Sequence, residues 1–399
     1  MEVITASLRE KIEEVKGSVI AWRRHLHQHP ELSFQEEKTS QYIYDTLASF
    51  GNIELARPTK TSVVGKIIGT KPGKTIALRA DMDALPIQEE NSSPFRSNNP
   101  GVMHACGHDG HTAMLLGAAK VLSALKDEME GEIRLIFQHA EELFPGGAEE
   151  LVQAGVMDDV DAVIGAHLWA PLEIGKIGIV YGPMMAAPDT FYITVKGKGG
   201  HAALPHETVD SIAIASQVVT NLQHIVSRNT DPLDPLVLSV TQFVAGTTHN
   251  VIPGSVEICG TVRSFDAKLR KEVPTLIERI VKGITEAHGA AYAFDYQYGY
   301  RPVINQEDIT KVVEESVIDL YGEEAVDRMK PNMGGEDFSA YLQKTRGMFF
   351  YIGAGNPDKE AVYPHHHARF AIDEDALEKG VNLFVHSSLK LLHAEKGCE

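Results

Sequence analysis

The sequence has 399 residues, and its formal net charge of −18 comes from 37 Lys and Arg residues against 55 Asp and Glu residues. Since there is no Lys/Arg-rich run, this acidity argues against nucleic-acid and anionic-membrane partners, and solubility is its simplest explanation. At roughly 100–200 residues per domain, the length predicts two or three domains. No apolar stretch approaches the roughly 20 residues that a membrane-spanning helix needs.

The cysteines and the N-terminal segment indicate the compartment. Cys106, Cys259 and Cys398 are an odd number of cysteines, lie far apart, and fit no disulfide framework. The N-terminal residues are charged and amphipathic, and they lack the apolar segment of a signal peptide. We therefore expect a soluble protein of a reducing compartment, the cytoplasm.

The first part of the chain has the pattern of an α/β domain. Apolar residues recur at steps of four and three from Leu8 to Leu26, which predicts a helix that ends before Pro30. Short apolar runs and helix-like stretches then alternate to about residue 185. The strongest of these predict three buried strands and one helix, namely Thr75–Leu78, Glu132–Phe137, Ala162–Ala166 and the helix His111–Leu125. This alternation favours a mostly parallel sheet with helices on both faces.

The pattern changes after the segment rich in Gly, Pro and Met at 182–188. The next predicted elements follow the order β-α-β-β-α-β of a ferredoxin-like unit, and they are Phe191–Val195, Thr208–Ser227, Leu236–Phe243, Val256–Val262, Lys268–His288 and Ala291–Tyr298. Met348–Gly353 then predicts another strand of the large sheet. We therefore expect a catalytic domain of residues 1–186 and 303–399, with residues 187–302 inserted as a second domain.

Polar side chains follow three of the predicted strands. Asp81 and Asp83 come after the first strand, Glu141 and Glu142 after the second, and His167 directly after the third. In open α/β sheets, ligand sites gather at the carboxyl ends of the strands. The sequence therefore predicts a site at this edge of the sheet.

Cys106 and His108 lie between the first two of these positions and flank a glycine. A turn at that glycine can direct both side chains toward one ion, and thiolate with imidazole suits zinc and tolerates manganese, cobalt or nickel. A buried cysteine is also common as a small hydrophobic residue. Among the neighbours, we expect His104 to be a hydrogen-bonded turn residue, His111 to open the helix, and Asp109 to orient an imidazole from the second shell.

Glu141 and Glu142 would ordinarily be a solvated pair. Here they lie between an apolar strand and Phe144–Gly147, which is a poor context for a surface helix. Because adjacent loop residues point in different directions, one carboxylate can bind metal while the other acts as a general base.

A run of three histidines, His365, His366 and His367, lies much later in the chain. It is internal, between a Tyr-Pro and an Arg-Phe pair, so it is not a purification tag. At least one of the three is expected to be a ligand, and the residues themselves leave open which one.

These features make the sequence resemble the aminoacylase/carboxypeptidase family of co-catalytic metallopeptidases. The resemblance is to the subfamily of hippurate hydrolases, bacterial N-acyl-L-amino acid amidohydrolases and plant auxin-conjugate hydrolases. The matching segments occur in order along essentially the whole chain, and they are RRHLHQHPELSFQE (23–36), ALRADMDALPI (77–87), HACGHDGHTAM (104–114), HAEELFPGGA (139–148), GAHLW (165–169), GKGGHAALP (197–205), HNVIPGSVEICGTVRSF (249–265) and GGEDFSAYL (334–342).

The resemblance implies two divalent metal ions, Mn or Zn, with Co or Ni also compatible. It gives Glu141 the role of general base, and it implies five ligands with Cys106 bridging, namely Cys106, His108, Glu142, His167 and His366. His366 is selected by its spacing of four before Phe370, although Ala368 replaces the proline frequent in the subfamily. Asp81-Met82-Asp83 stands where the wider family has an HxD pair, so Asp83 is expected in the second shell and His108 at the first metal.

The inserted domain contributes His201, Asn250 and Arg263, which would be ordinary surface residues without the resemblance. The family's inserted domain closes over the substrate as a lid. There, a histidine polarises the scissile carbonyl, and Asn and Arg groups hold a carboxylate, for which a planar guanidinium is suited. In many members of the family this domain also mediates dimerisation, so we expect a homodimer or higher homo-oligomer. His201 and Asn250 would act either within one subunit or across two.

The predicted reaction is hydrolysis of the amide bond of N-acyl-L-amino acids. A metal-activated water attacks, Glu141 is the general base, and the metals with His201 stabilise the oxyanion. An alternative is a dipeptidase or carboxypeptidase with the same centre. A dipeptidase needs an acid for the free ammonium, and no residue is a specific candidate for that acid. A catalytically inactive metal-binding homologue is disfavoured because Glu141 and all five ligand candidates are present.

Overall fold

The computed structural model describes residues 6–394, with side chains from residue 8 onward, so Cys398 lies outside the described residues. This part of the chain forms two compact units. The first comprises residues 6–184, 304–330 and 337–394, and the second comprises residues 185–303 and 331–336.

The described residues form strands and helices in alternation. The strands are β1 (Glu54–Ala56), β2 (Val63–Ile68), β3 (Lys71–Asp81), β4 (Glu130–Gln138), β5 (Ala162–Glu173), β6 (Ile177–Ile179), β7 (Gly182–Met185), β8 (Ala187–Lys196), β9 (Gly200–His201), β10 (Leu236–Ala245), β11 (Val251–Ile252), β12 (Ser255–Ser264), β13 (Ala291–Gln297), β14 (Val303–Asn305), β15 (Val326–Arg328) and β16 (Arg346–Gly355). The α-helices are α1 (Ala6–Gln28), α2 (Glu37–Phe50), α3 (His108–Ala124), α4 (Gly147–Gln153), α5 (Ser211–His224), α6 (Ala267–Ala287), α7 (Glu307–Tyr321) and α8 (Asp375–His393).

The first unit contains an eight-stranded sheet in the order β1-β2-β4-β3-β5-β16-β6-β15. The pairs from β4 through β3 and β5 to β16 are parallel, as is β6 with β15, while the other pairs are antiparallel. Residues on both faces of β4, β5 and β16 are buried, which explains why these strands are continuous apolar runs in the sequence. The predicted α/β fold with a mostly parallel sheet is confirmed.

Helix α3 packs against β3 and between α1 and α8. It is built from Ala, Leu, Gly and Met and is buried on nearly every side. The helix begins at His108, three residues before the predicted start at His111, because Gly107 turns the chain into it with a φ of 97°. Residues that carry a side chain rarely adopt this left-handed backbone conformation, so the turn requires glycine.

The second unit contains a four-stranded antiparallel sheet, β10-β12-β8-β13, packed with α5 and α6. Its main elements follow the predicted β-α-β-β-α-β order. Burial alternates along β8 and β12, as expected for strands with one face on the core. Asp210 caps α5 and Asp266 caps α6 through hydrogen bonds to backbone N–H groups. Across residues 6–394, no helix combines the length and apolarity needed to cross a membrane.

Candidate metal centre

The polar residues that follow the central strands meet at one place in the first unit. Cys106, His108 and His167 form one group whose ligand atoms all lie within 4.8 Å of one another, and Cys106, Glu142 and His366 form a second such group. Cys106 belongs to both groups. The structure thus brings together all five ligands implied by the resemblance, with the thiol at the point where two ion sites would meet.

His108 is held by a carboxylate on one side of its ring. Its Nδ1 donates to Asp83 Oδ1 at 3.2 Å, and its Nε2 lies 3.8 Å from Glu142 Oε1. Asp83 also accepts hydrogen bonds from Glu142 N at 3.1 Å and from Ser33 Oγ at 2.7 Å. Asp83 therefore fixes the orientation of one ligand candidate and the backbone of another, the supporting role that the sequence predicted for it.

His167 lies within β5 and does not end the strand as predicted. The strand continues to Glu173 because β16 pairs with it beyond His167. The imidazole Nδ1 donates to Leu168 O at 2.7 Å, and Nε2 faces Cys106 Sγ at 3.5 Å. The nitrogen nearest the thiol is therefore the one without a hydrogen, which can coordinate a metal.

His111 has no nitrogen left for a metal. Leu168 N donates to its Nε2 at 2.8 Å, and its Nδ1 donates to Asp81 Oδ1 at 2.7 Å. Asp81, His108 and His111 also lie within ligand distance of one another. Because both nitrogens of His111 are engaged, this group does not form a third ion site in the described part of the chain.

The three adjacent histidines are separated by their contacts. His366 Nε2 lies 3.2 Å from Glu142 Oε1, whereas His367 Nδ1 accepts from Arg369 N at 3.0 Å and its ring stacks on Tyr363. His365 Nε2 accepts from Ala170 N at 3.2 Å. His366 reaches this position with a φ of 64°, a conformation uncommon for a residue with a side chain.

The charges and unpaired atoms of the centre fit divalent cations. His108 Nε2 is buried without a hydrogen-bond partner among the described residues. Burial, reinforced by Glu142 and Glu141, raises the pKa of the Cys106 thiol well above its usual value. Burial lowers the pKa of His108, but Asp81 and Asp83 outweigh it and raise that pKa to about 10. Cations would offset this excess of negative charge and displace the protons, which is the expected coupling of metal binding to pKa.

Glu141 lies beside the ligand candidates on a closely fixed loop. A carboxylate oxygen of Glu141 is within 4.8 Å of ligand atoms of His108 and Glu142, and the side chain is buried. The preceding Ala140 has a φ of 49°, and its N–H donates to Glu36 Oε1 at 2.9 Å. Glu141 therefore lies next to the ligand candidates without belonging to either of the two groups that share Cys106.

Arg79 supports the centre from within the sheet, and it was not among the site residues predicted from the sequence. The guanidinium is buried and donates to Asp81 Oδ2 at 2.7 Å, to Asp337 Oδ1 at 2.9 Å and to Gln138 Oε1 at 2.8 Å. The signal was present, because an arginine inside an otherwise apolar strand is rarely buried without paired acids. Both carboxylate oxygens of Asp81 are thus engaged, one by Arg79 and one by His111.

We expect Arg79→Met to destabilise the first unit by about 3–5 kcal/mol, since it leaves two buried carboxylates without their cation. Both tryptophans, Trp22 and Trp169, lie in this unit, so urea unfolding followed by tryptophan fluorescence reports on it. The matched control is Arg346→Met, which breaks an exposed ion pair with Asp308 and should cost about 0–1 kcal/mol. Equal losses in the two variants would contradict the supporting role of Arg79.

Asp109 and His104 lie next to the centre but differ from expectation. Asp109 does orient an imidazole, but that imidazole is His27, whose Nδ1 is 2.8 Å away, and the carboxylate also lies 2.8 Å from Arg23 Nε. None of the five ligand candidates is its partner. The expectation that His104 is hydrogen-bonded is wrong for the described residues, because both ring nitrogens are buried without a partner. Burial lowers the pKa of His104 to about 4.

The three candidates in the second unit do not form one cluster. His201 and Asn250 are neighbours: Ala202 N donates to Asn250 O at 3.1 Å, and β9 pairs with β11 at His201. Arg263 lies near the end of β12, where its half-buried guanidinium contacts the Thr261 hydroxyl. From the start of β12, eight residues at about 3.3 Å each put Arg263 roughly 26 Å along the strand, away from the β9–β11 pair.

Comparisons with known proteins agree on one family. The model of Peptidase family M20/M25/M40 matches residues 77–390. An N-acyl-L-amino acid amidohydrolase of Geobacillus stearothermophilus is 72% identical over 75% of this chain and 81% of its own length. Thermostable carboxypeptidase 2 of Saccharolobus solfataricus is 42% identical over 98% of this chain and 100% of its own. Among solved structures, a Bacillus subtilis protein described as a dinuclear metal-binding peptidase of the M20 family matches with a TM-score of 0.84 and 37% identity, over 95% of this chain and 99% of its own.

Proposed function

Because the chain belongs to peptidase family M20/M25/M40 and is a hydrolase, we propose that it hydrolyses the amide bond of N-acyl-L-amino acids with two divalent metal ions. The observation that carries the proposal is the pair of ligand groups that share Cys106, with Glu141 buried beside them. The name of the Geobacillus relative supports the substrate class, and the description of the Bacillus structure supports two ions.

In this proposal the ligands are Cys106, His108, Glu142, His167 and His366. When bound, Mn or Zn (or Co or Ni, which the mixed S, N and O ligand set also suits) supplies Lewis acidity that makes water nucleophilic near neutral pH. Glu141 accepts the proton of the attacking water and delivers it to the leaving nitrogen. Asp83 holds His108 in the tautomer whose Nε2 is free.

The second unit would complete the site as a lid, with His201 donating to the developing oxyanion and Arg263 and Asn250 binding the substrate carboxylate. One carboxylate cannot contact both Asn250 and Arg263 of the same chain, because they lie at different ends of the unit. We therefore propose that the protein acts as a homodimer, in which His201 and Asn250 serve the catalytic centre of the other subunit.

This arrangement predicts complementation between inactive variants. A mixture of Glu141→Ala and His201→Ala subunits, exchanged at random, should regain about a quarter of wild-type activity, because half of the dimers then contain one intact site. As a control, Glu141→Ala mixed with Cys106→Ala should regain none, since both lesions lie in the same unit. Failure of the first mixture to recover, with subunit exchange verified by mass, would contradict action across subunits.

A substrate panel tests the proposed reaction. Acetyl, benzoyl and indole-acetyl amino acids are assayed beside dipeptides and longer peptides, with Mn, Zn, Co and Ni. We expect the N-acyl amino acids to be cleaved with the highest kcat/KM. Preference for peptides would instead support the carboxypeptidase alternative, which the similarity to the Saccharolobus relative favours.

A further inference from the structure

His365 contacts Cys106 but is not needed as a ligand in the proposed centre. Its Nδ1 lies 3.7 Å from Cys106 Sγ, and the ring also hydrogen-bonds to the backbone of Cys106. The ring is half-buried, is stacked on Trp169 with centroids 4.6 Å apart, and has Phe370 at 4.9 Å. Its orientation is therefore fixed from both sides.

The hydrogen bonds of this ring determine where its proton lies. The donor of the contact at Nε2 is a backbone group, Ala170 N–H at 3.2 Å, so Nε2 must act as the acceptor and carries no hydrogen. The neutral ring then carries its hydrogen on Nδ1, the nitrogen that faces Cys106, where Sγ and the backbone of the same residue share it as acceptors. A protonated Nδ1 cannot coordinate a metal, which separates His365 from His366.

The other side chains that approach the sulfur offer acceptors. His167 Nε2, at 3.5 Å, has no hydrogen because its ring donates through Nδ1 to Leu168 O. Glu142 interacts with the thiol through its carboxylate. Among these three neighbours of Sγ, His365 is the donor. A donor matters at a sulfur shared by two ions, because a hydrogen bond to a thiolate lowers its charge and its donation to metal.

We propose that His365 is a positioning residue that fixes Cys106 and donates a hydrogen bond from Nδ1 to the bridging thiolate, weakening its donation to the metal ions. This inference rests on the proposed two-metal function. It assigns to the first of the three histidines a role different from that of the second, although the two are adjacent in sequence.

The test uses the full-length protein loaded with Co²⁺, whose thiolate-to-metal charge-transfer absorption reports on the sulfur directly. His365→Phe keeps an aromatic ring for the stack on Trp169 but removes the N–H donor. We expect two Co²⁺ ions to remain bound and the charge-transfer band to move to longer wavelength. Chelator competition should show a metal affinity lower by about 10–100-fold, because Cys106 loses a contact that fixes it, as is typical for loss of a partner of a metal ligand.

Two further variants make the result specific. His365→Gln restores a side-chain N–H and should return the band toward the wild-type position, and it also provides a reading if His365→Phe fails to fold. His367→Phe is the matched control, because the His367 ring stacks on Tyr363 and its Nδ1 accepts from Arg369 N, and its band should stay at the wild-type position.

A band in His365→Phe that coincides with that of His367→Phe would overturn the inference while leaving the two-metal centre intact. Loss of one Co²⁺ in both His365 variants would also overturn it, since His365 would then be a ligand. Absence of any thiolate charge-transfer band in the wild-type Co²⁺ protein would refute the proposed centre together with this inference.

Discussion

Replacing Glu141 with glutamine should lower kcat by about 10²–10⁴-fold, the usual contribution of a general base, while both metal ions remain bound. Glutamine keeps the shape of the side chain but cannot accept the proton of the attacking water. Glu141 is not one of the five proposed ligands, so the metal content of the Glu141→Gln protein should not change. Turnover of an N-acyl amino acid, together with metal analysis of the same sample, measures both quantities.

Two controls isolate the role of Glu141. Glu128→Gln changes an exposed glutamate elsewhere in the first unit and should leave kcat unchanged. Glu142→Gln removes a ligand candidate adjacent in sequence, so it should lose metal as well as activity. If Glu141→Gln turned over substrate at the wild-type rate, Glu141 would not be the base.

Cys106→Ala is expected to have the largest effect on metal binding. Both ligand groups include Cys106, so one substitution removes a ligand from each ion. The affinity for metal should fall by more than the roughly 10–100-fold typical of a second-shell change, and hydrolysis should fall with it. Equilibrium dialysis against Mn²⁺ or Zn²⁺ measures the ions bound per chain.

Cys259→Ala is the matched control, because Cys259 is a free cysteine on β12 in the second unit. It should bind two ions and retain activity. A Cys106→Ala protein that still binds two ions with wild-type affinity would show that Cys106 does not bridge the two metal ions.

The sequence predicts those residues of the candidate site whose positions depend on the strand or turn directly beside them in the chain. Asp83, Glu141 and Glu142 follow buried parallel strands, and such strands bring their carboxyl ends to one edge. The glycine between Cys106 and His108 likewise marks a turn, and the structure has a left-handed residue there. For these residues, the pattern of apolar and polar residues along the chain already predicts that their side chains lie close together.

The rest depends on contacts between residues far apart in sequence. The three adjacent histidines cannot be distinguished until their contacts with Ala170, Tyr363 and Glu142 are known. In the sequence, the choice of His366 rested on its spacing before Phe370 and on the family resemblance. His104 was expected to be hydrogen-bonded, yet nothing in the neighbouring sequence reveals that both of its ring nitrogens lack a hydrogen-bond partner among the described residues. The roles of Asp81 and Arg79 required Asp337, which lies more than 250 residues later.

The second unit shows a further limit. Its β-α-β-β-α-β order followed from alternation and helical periodicity, but the separation of Arg263 from Asn250 follows from the length of β12, which continues past the predicted end at Val262 to Ser264. Because of that separation, we propose that His201 and Asn250 act on the catalytic centre of the other subunit.

A crystal structure of the Mn²⁺- or Zn²⁺-loaded protein, with anomalous scattering data, tests the proposed two-metal centre most directly. We expect two ions about 3.5–4 Å apart, with His108 and His167 binding one, Glu142 and His366 binding the other, and Cys106 binding both. A single ion, or two ions of which either lacks a bond to Cys106, would contradict it.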